Sequence, residues 1–237
     1  MKRFFIDQPL VAMSVIDLPK EARQYMERVL RLKPGHSICL FNGRGGQFNA
    51  EFLGNGQVQL LEFVSIEHES PLAIRLIQGI SKGERMDVTL QKATELGAAR
   101  ISPVTCERSV VRLDEERAER RHERWSSILH SACEQCGRNR IPQLDELQKL
   151  DSVFNEARQD DELRIVLAPT GTHDLRELPR PMRLSVLIGP EGGLSDKETG
   201  LAIERGFTPV KLGTRILRTE TAGLAILAAA QTLWGDF

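Results

Sequence analysis

The sequence predicts an α/β protein built on a mainly parallel sheet, preceded by a small all-β region. Three observations carry that reading. After residue 71, apolar runs of strand length alternate with segments of helical period, the order that builds βαβ units. Before it, short strands are separated by glycine-rich turns, as in a small barrel or curled sheet. Between Leu184 and Ala230, two strand-to-helix turns carry glycines, and ligands of open α/β sheets sit outside the carboxyl ends of strands. The predicted division is 1–70 and 71–237.

In the first region, Lys20–Leu32 reads as a helix with Ala22, Met26, Val29 and Leu30 on one face, stopped by Pro34-Gly35. Ser37–Phe41, Gln47–Leu53 and Val58–Val64 read as strands. Phe48, Ala50 and Phe52 alternate as one buried face requires. The Gly43-Arg44-Gly45-Gly46 turn lacks the third glycine and the following helix of a dinucleotide fingerprint, so it is a hairpin turn. Glu67–Pro71 is polar, ends in proline and reads as a linker. Then come a strand at Leu72–Ile80, a helix at Glu84–Leu96 closed by Gly97, a strand at Arg100–Thr105 and a long helix at Asp114–Cys136. Strands follow at Leu163–Ala168 and Arg183–Ile188. Ser195 and Glu198 form a capping box at the next helix start. Val210–Leu212 reads as a short strand and Thr219–Trp234 as the last helix.

Bulk properties exclude little. Hydrophobic residues are 41% and charged residues 27%, with a net charge of −1. That balance points to no polyanionic partner, yet a basic patch can hide inside a neutral total. The most apolar run, Ala222–Leu233, is broken by Gln231 and falls short of the roughly 18 residues of a membrane span. Lys2 and Arg3 begin like a signal segment, but Asp7, Gln8 and Pro9 end the apolar run. A cytoplasmic protein without membrane contact is expected. Cys133 and Cys136 have no second pair at zinc-like spacing, and they fall on one helical face, so no metal site is expected. His36, His68, His122, His130 and His173 have no partner at motif spacing, and no serine stands in a G-x-S-x-G elbow.

Three constellations could carry chemistry. Gly189-Pro190-Glu191-Gly192-Gly193 ends a strand, where glycines let backbone approach a ligand; no P-loop lysine follows. Arg218-Thr219-Glu220-Thr221 opens the last helix. Acids and threonine there are ordinary caps, but the helix dipole disfavours an arginine, and such a local conflict marks a functional position. Glu134–Arg140 ends the long helix, with Gly137 as the stop and Arg138, Asn139 and Arg140 as an exposed loop. It either complements the helix dipole or contacts nucleic-acid phosphate. Lys82, Arg85, Lys92, Arg108 and Arg112 add scattered charge.

In this order, KGERMDVTLQKATELG, ERW…ACEQCGRNR, IGPEGGLS and LGTRILRTETA resemble the ribosomal RNA small subunit methyltransferase E family, of the SPOUT class of knotted methyltransferases. The resemblance covers nearly the whole chain. It implies a PUA-like RNA-binding β-barrel at 1–70 and an S-adenosylmethionine-binding α/β domain with a trefoil knot at 71–237. It assigns the cofactor to Leu167 and Ala168, to Gly189, Pro190, Glu191, Gly192 and Gly193, and to Leu212–Thr219, with Gly213, Ile216, Leu217, Arg218 and Thr219 named. It makes Arg218 the arginine at the methyl-transfer site. Either Glu191 or Glu220, both near helix starts, could take the proton or orient Arg218. The candidate RNA contacts among the basic and loop residues are Arg3, Arg28, Arg31, Lys82, Arg85, Arg138, Asn139 and Arg140. The implied reaction is methylation of a uridine N3 in small-subunit ribosomal RNA, free or in an assembled particle, by a homodimer. A ribose 2′-O-methyltransferase of the same class, a non-catalytic RNA-binding protein and a nucleotide-binding transferase are the alternatives.

Overall fold

The computed structural model describes residues 1–111 and 114–237. Arg112 lies outside them. The chain divides into two compact units. The first is Met1–Glu69 with His130–Ile141; the second is Ser70–Leu129 with Pro142–Phe237.

In the first unit, β1 (Lys2–Phe5), β2 (Val15–Asp17), β3 (His36–Phe41), β4 (Gln47–Gly54) and β5 (Gln57–Val64) pair in the order β1-β3-β4-β5-β2. The Asn42–Gly46 turn joins the antiparallel β3 and β4, with Gly43, Gly45 and Gly46 at positive φ. Phe48, Ala50 and Phe52 share the buried face with Ile38, Leu40, Val58 and Leu60. Each of the larger side chains among them contributes about 1.5–3 kcal/mol of burial.

The expected helix over Lys20–Leu32 is shorter and irregular. The α1 helix (Lys20–Gln24) passes into a π-helical turn over Tyr25–Val29, where the Leu30 amide donates to the Tyr25 carbonyl at 3.0 Å. The wider turn rotates its own residues relative to those of α1. Met26 therefore points inward, while Val29, assigned to the buried face, is 66% exposed.

The Arg138-Asn139-Arg140 loop also differs from expectation. Arg140 is exposed, but Arg138 is only 4% exposed and Asn139 is fully buried. The Arg138 guanidinium is held by both Glu69 carboxylate oxygens. Asn139 accepts from Arg3 at 2.7 Å and donates to the Ile66 carbonyl at 2.7 Å. Arg3 also donates to the Arg138 carbonyl and to Gln47. Inside a protein such groups are retained only when paired, and here the partners come from β1 and the segment after β5. Arg3, Arg138 and Asn139 thus tie His130–Ile141 into the first unit.

The second unit holds β6 (Ala73–Gly79), α2 (Glu84–Glu95), β7 (Ala98–Thr105), β8 (Gln143–Leu144), β9 (Gln148–Lys149), α4 (Leu150–Phe154), β10 (Glu162–Leu167), β11 (Arg183–Ile188), α5 (Asp196–Glu204), β12 (Thr208–Val210) and α6 (Thr219–Trp234). The helix α3 (Glu115–Cys136) starts in this unit, where Asp114 accepts from the Arg117 amide, and ends in the first. The sheet order is β12-β10-β11-β6-β7-β8, with β9 also on β7, and every pairing is parallel. Central strands buried on both faces explain the near-continuous apolar runs of Ile74–Ile77 and Leu184–Ile188. β12 ends at Val210, two residues short of the expected Leu212. Pairing with β10 stops at Leu167–Val210, and the chain then turns away towards α6.

α6 packs on α2, β6 and β11. The chain thus leaves the sheet edge at β12 and returns across its middle. Gln231, which breaks the apolar pattern, is fully buried. It accepts from Ser70 Oγ at 2.7 Å and donates to the Leu96 carbonyl at 2.9 Å. Cys133 is buried, and burial pushes its thiol up to about 12. Among the described residues, no helix is long and apolar enough to cross a membrane.

Candidate functional site

Three neighbouring parallel strands end together: β6 at Gly79, β10 at Leu167 and β11 at Ile188. The loops after β10 and β11, with the segment from β12 to α6, enclose a cavity of about 830 Å³. That lies within the ~300–1,000 Å³ of small-molecule sites. Its lining takes in Leu167, Ala168, Gly189, Pro190, Glu191, Gly192 and Gly193. Leu212, Gly213, Ile216, Leu217, Arg218, Thr219 and Glu220 complete the sequence-level set in the same wall. Arg85, expected on RNA, lines it too, as do Arg108, Lys211 and Arg215.

Backbone approaches backbone closely here. A Cβ on Gly79 would stand 2.5 Å from the Pro190 nitrogen, and one on Gly189 would stand 2.7 Å from the Leu194 nitrogen. Only glycine lets the ends of β6 and β11 meet in this way. The Gly193 amide closes the turn onto the Pro190 carbonyl at 2.8 Å.

A buried relay fixes the start of α6 to both strands. Thr219 Oγ1 donates to the Gly189 carbonyl at 2.6 Å and accepts from Gln78 Nε2 at 2.8 Å. Gln78 Nε2 also donates to the Gly79 carbonyl at 3.0 Å. Gln78 is not among the expected site residues. Its signal in the sequence is an uncharged polar residue between the apolar Leu76-Ile77 and Ile80, where an unpaired buried amide is costly.

The two glutamates have different surroundings. Glu191 Oε1 accepts from the Lys82 amide at 2.8 Å and from Arg85 at 3.3 Å. Burial raises its carboxyl, but hydrogen bonds from the Lys82 and Glu191 amides and the Arg85 charge outweigh it, leaving the group below the ordinary range. Glu220 stands in the first turn of α6. Its Oε2 is buried and has no hydrogen-bond partner, as is Glu191 Oε2. Arg108 steadies the glycine loop from outside by donating to the carbonyls of Gly192 and Leu194.

Arg218 is the N-cap of α6, with extended backbone and no capping side-chain bond. It is exposed, and no carboxylate pairs with it among the described residues. The site therefore offers apolar walls, glycine-lined backbone, two carboxylate oxygens without partners and the Arg215 and Arg218 guanidiniums, neither paired with a carboxylate among the described residues.

An RNA methyltransferase domain model matches residues 68–231, and an RNA methyltransferase PUA domain model matches 18–62. The ribosomal RNA small subunit methyltransferase E of Buchnera aphidicola from Schizaphis graminum is 36% identical, over 99% of this chain and 97% of that protein. The chain belongs to the ribosomal RNA small subunit methyltransferase E family. The family member from Bacillus subtilis is 29% identical over 97% of this chain and 95% of its own length. Among solved structures, a methyltransferase from Legionella pneumophila with bound cofactor SAM has a TM-score of 0.94 at 39% identity, covering 99% of this chain and 98% of that one. The methyltransferase E of Neisseria gonorrhoeae, bound to S-adenosyl methionine, gives 0.93 at 39% identity, covering 100% and 99%. The fold is thus the α/β SPOUT methyltransferase architecture with a small N-terminal PUA-like sheet domain.

Of the residues expected on RNA, Arg28, Arg31, Lys82, Arg85 and Arg140 are exposed. Arg85 and Arg140 are already paired, with Glu191 and Glu67 respectively.

Proposed function

We propose that this chain binds S-adenosylmethionine in the 830 Å³ cavity and methylates N3 of a uridine in small-subunit ribosomal RNA. The observation that carries the reading is the uncommitted Arg218 guanidinium on the rim of a glycine-walled cavity. The residues fit the cofactor. Gly189 leaves room that a Cβ would take, Leu167, Ile188, Leu212 and Leu217 supply apolar wall, and the buried Glu191 Oε2 awaits a donor. When bound, the cofactor supplies a methyl group carried on a sulfonium.

The chain's own residues do the rest. A uracil N3 is a poor nucleophile until its proton leaves. Arg218, beside a uracil carbonyl, stabilises the charge that develops as this happens. Glu220 has a carboxylate oxygen without a partner two residues away, and it accepts the proton. Glu191 is held in the charged form by its donors, and its bonds brace the loop. The Gln78–Thr219–Gly189 relay keeps the two loops in register, so positioning supplies much of the rate. The partner is small-subunit ribosomal RNA, free or assembled, and the working form is a homodimer in the cytoplasm.

Incubation with labelled S-adenosylmethionine and small-subunit particles lacking the modification, with nucleoside analysis of the product, should place the label in 3-methyluridine. Label in a 2′-O-methylated nucleoside would refute the N3 assignment. The two glutamates should separate kinetically. Glu220→Gln should lower kcat about 10²-fold or more with cofactor affinity retained. Glu191→Gln should mainly raise the KM for the cofactor. Wild-type turnover in Glu220→Gln would remove it as the proton acceptor.

A further inference from the structure

The segment from Lys211 to Arg218 reads Lys-Leu-Gly-Thr-Arg-Ile-Leu-Arg, with three cations and no acid. Lys211, Arg215 and Arg218 are all exposed and all line the cavity. Among the described residues none of the three has a carboxylate partner. Some arginines elsewhere do pair with carboxylates, Arg75 with Glu156, Arg100 with Asp145 and Arg164 with Glu162. With 32 basic and 33 acidic residues in the chain, this is a local separation of charge and no general surplus of bases.

The backbone of the segment is also uncommitted. It is pinned at its ends, where the Lys211 amide donates to the His173 carbonyl and the Arg218 carbonyl accepts from Ala222. From Leu212 to Arg218, no amide among the described residues donates to another backbone carbonyl.

We infer that Lys211 and Arg215 form a phosphate-binding edge that holds the RNA backbone beside the nucleotide presented to Arg218. This rests on the proposed RNA methylation at the same site. The unpaired cations of this segment favour an anionic ligand along its edge. The cofactor carries a sulfonium and an ammonium against one carboxylate, so it is net positive and leaves three rim cations uncompensated. A phosphodiester chain supplies one negative charge per nucleotide, and its interactions with the edge fix register without reading sequence. The edge therefore positions the target base, while Arg218 acts on it.

Neutralising the edge tests this in the full-length protein. The probe is unmodified small-subunit ribosomal RNA transcribed in vitro, titrated across salt concentrations with wild type and with K211Q/R215Q. Each cation–phosphate pairing removed should lower the slope of log K against log salt by about 0.7–0.9. The double variant should therefore bind the RNA more weakly, with a slope shallower by about 1.4–1.8. Its S-adenosylmethionine affinity should stay within about twofold of wild type, and its melting temperature should not change, since both side chains are exposed. An unchanged slope and RNA affinity would overturn the inference. So would a parallel fall in cofactor affinity, which would assign the cations to the cofactor carboxylate. Failure of the proposed function has a different signature, namely wild-type protein that does not methylate RNA.

Discussion

Arg218→Ala should lower kcat about 10²–10³-fold, or ~2.7–4 kcal/mol of transition-state stabilisation, the usual cost of removing one preorganised donor from a developing anion. Cofactor affinity should hold within a few-fold, because the binding loops are fixed by other residues: Thr219 on the Gly189 carbonyl, Gln78 on Thr219, and Arg108 on Gly192 and Leu194. The folded state should be nearly unaffected. Arg218 makes no side-chain cap, and its place at a helix N-terminus is electrostatically unfavourable, so its loss removes nothing that the fold uses. Arg218→Lys should recover part of the rate, since it keeps the charge but loses the planar fork. Steady-state kinetics with calorimetric cofactor binding checks both variants. An alanine variant with near wild-type kcat and intact cofactor binding would remove Arg218 from the chemistry.

The second large effect lies in the first unit and concerns stability. Arg138→Ala should destabilise the protein by about 3 kcal/mol, the lower end of the ~3–5 kcal/mol for breaking a buried pair, because Glu69 retains partial solvent access. Most of that loss comes from leaving Glu69 without its partner. Arg138→Met combined with Glu69→Leu should therefore recover much of the stability that the single variant loses. Denaturant titration of the three proteins measures the difference. A residue on an RNA-facing loop would behave otherwise: its removal would weaken RNA binding and leave the unfolding midpoint in place.

The contrast between Arg138 and Arg218 shows what a sequence can carry. Local patterns are readable because their physics is local. The Ser195 capping box is present with both of its hydrogen bonds, Gly97 closes α2 at positive φ, and α6 runs from Thr219 to Trp234 as its pattern indicates. The glycine loop at the end of β11 is legible because a strand ending in Gly-Pro-Glu-Gly-Gly can do little else than turn. Arg218 stands out because it opposes its own helix dipole. Arg138 gives no such signal. Its partner, Glu69, is 69 residues away, and nothing near Arg138 distinguishes a buried guanidinium from a solvated one. The Gln78–Thr219 bond spans 141 residues and is invisible for the same reason. The π-helical turn at Tyr25 shifts a helix face that the apolar periodicity places on Val29. The return of α6 across the middle of the sheet is a property of chain path, and no residue spacing encodes it.

The composition of the first unit has a consequence for synthesis. Its final segment, His130–Ile141, is separated from Glu69 by about sixty residues of the other unit. A nascent chain that has emerged only through Glu69 lacks the Arg138 and Asn139 side chains that its interior is shaped to receive. At ~5–20 residues per second, the ribosome needs roughly 4–14 s more to deliver them. The amino-terminal unit, first to be translated, therefore waits for part of the second before it can close.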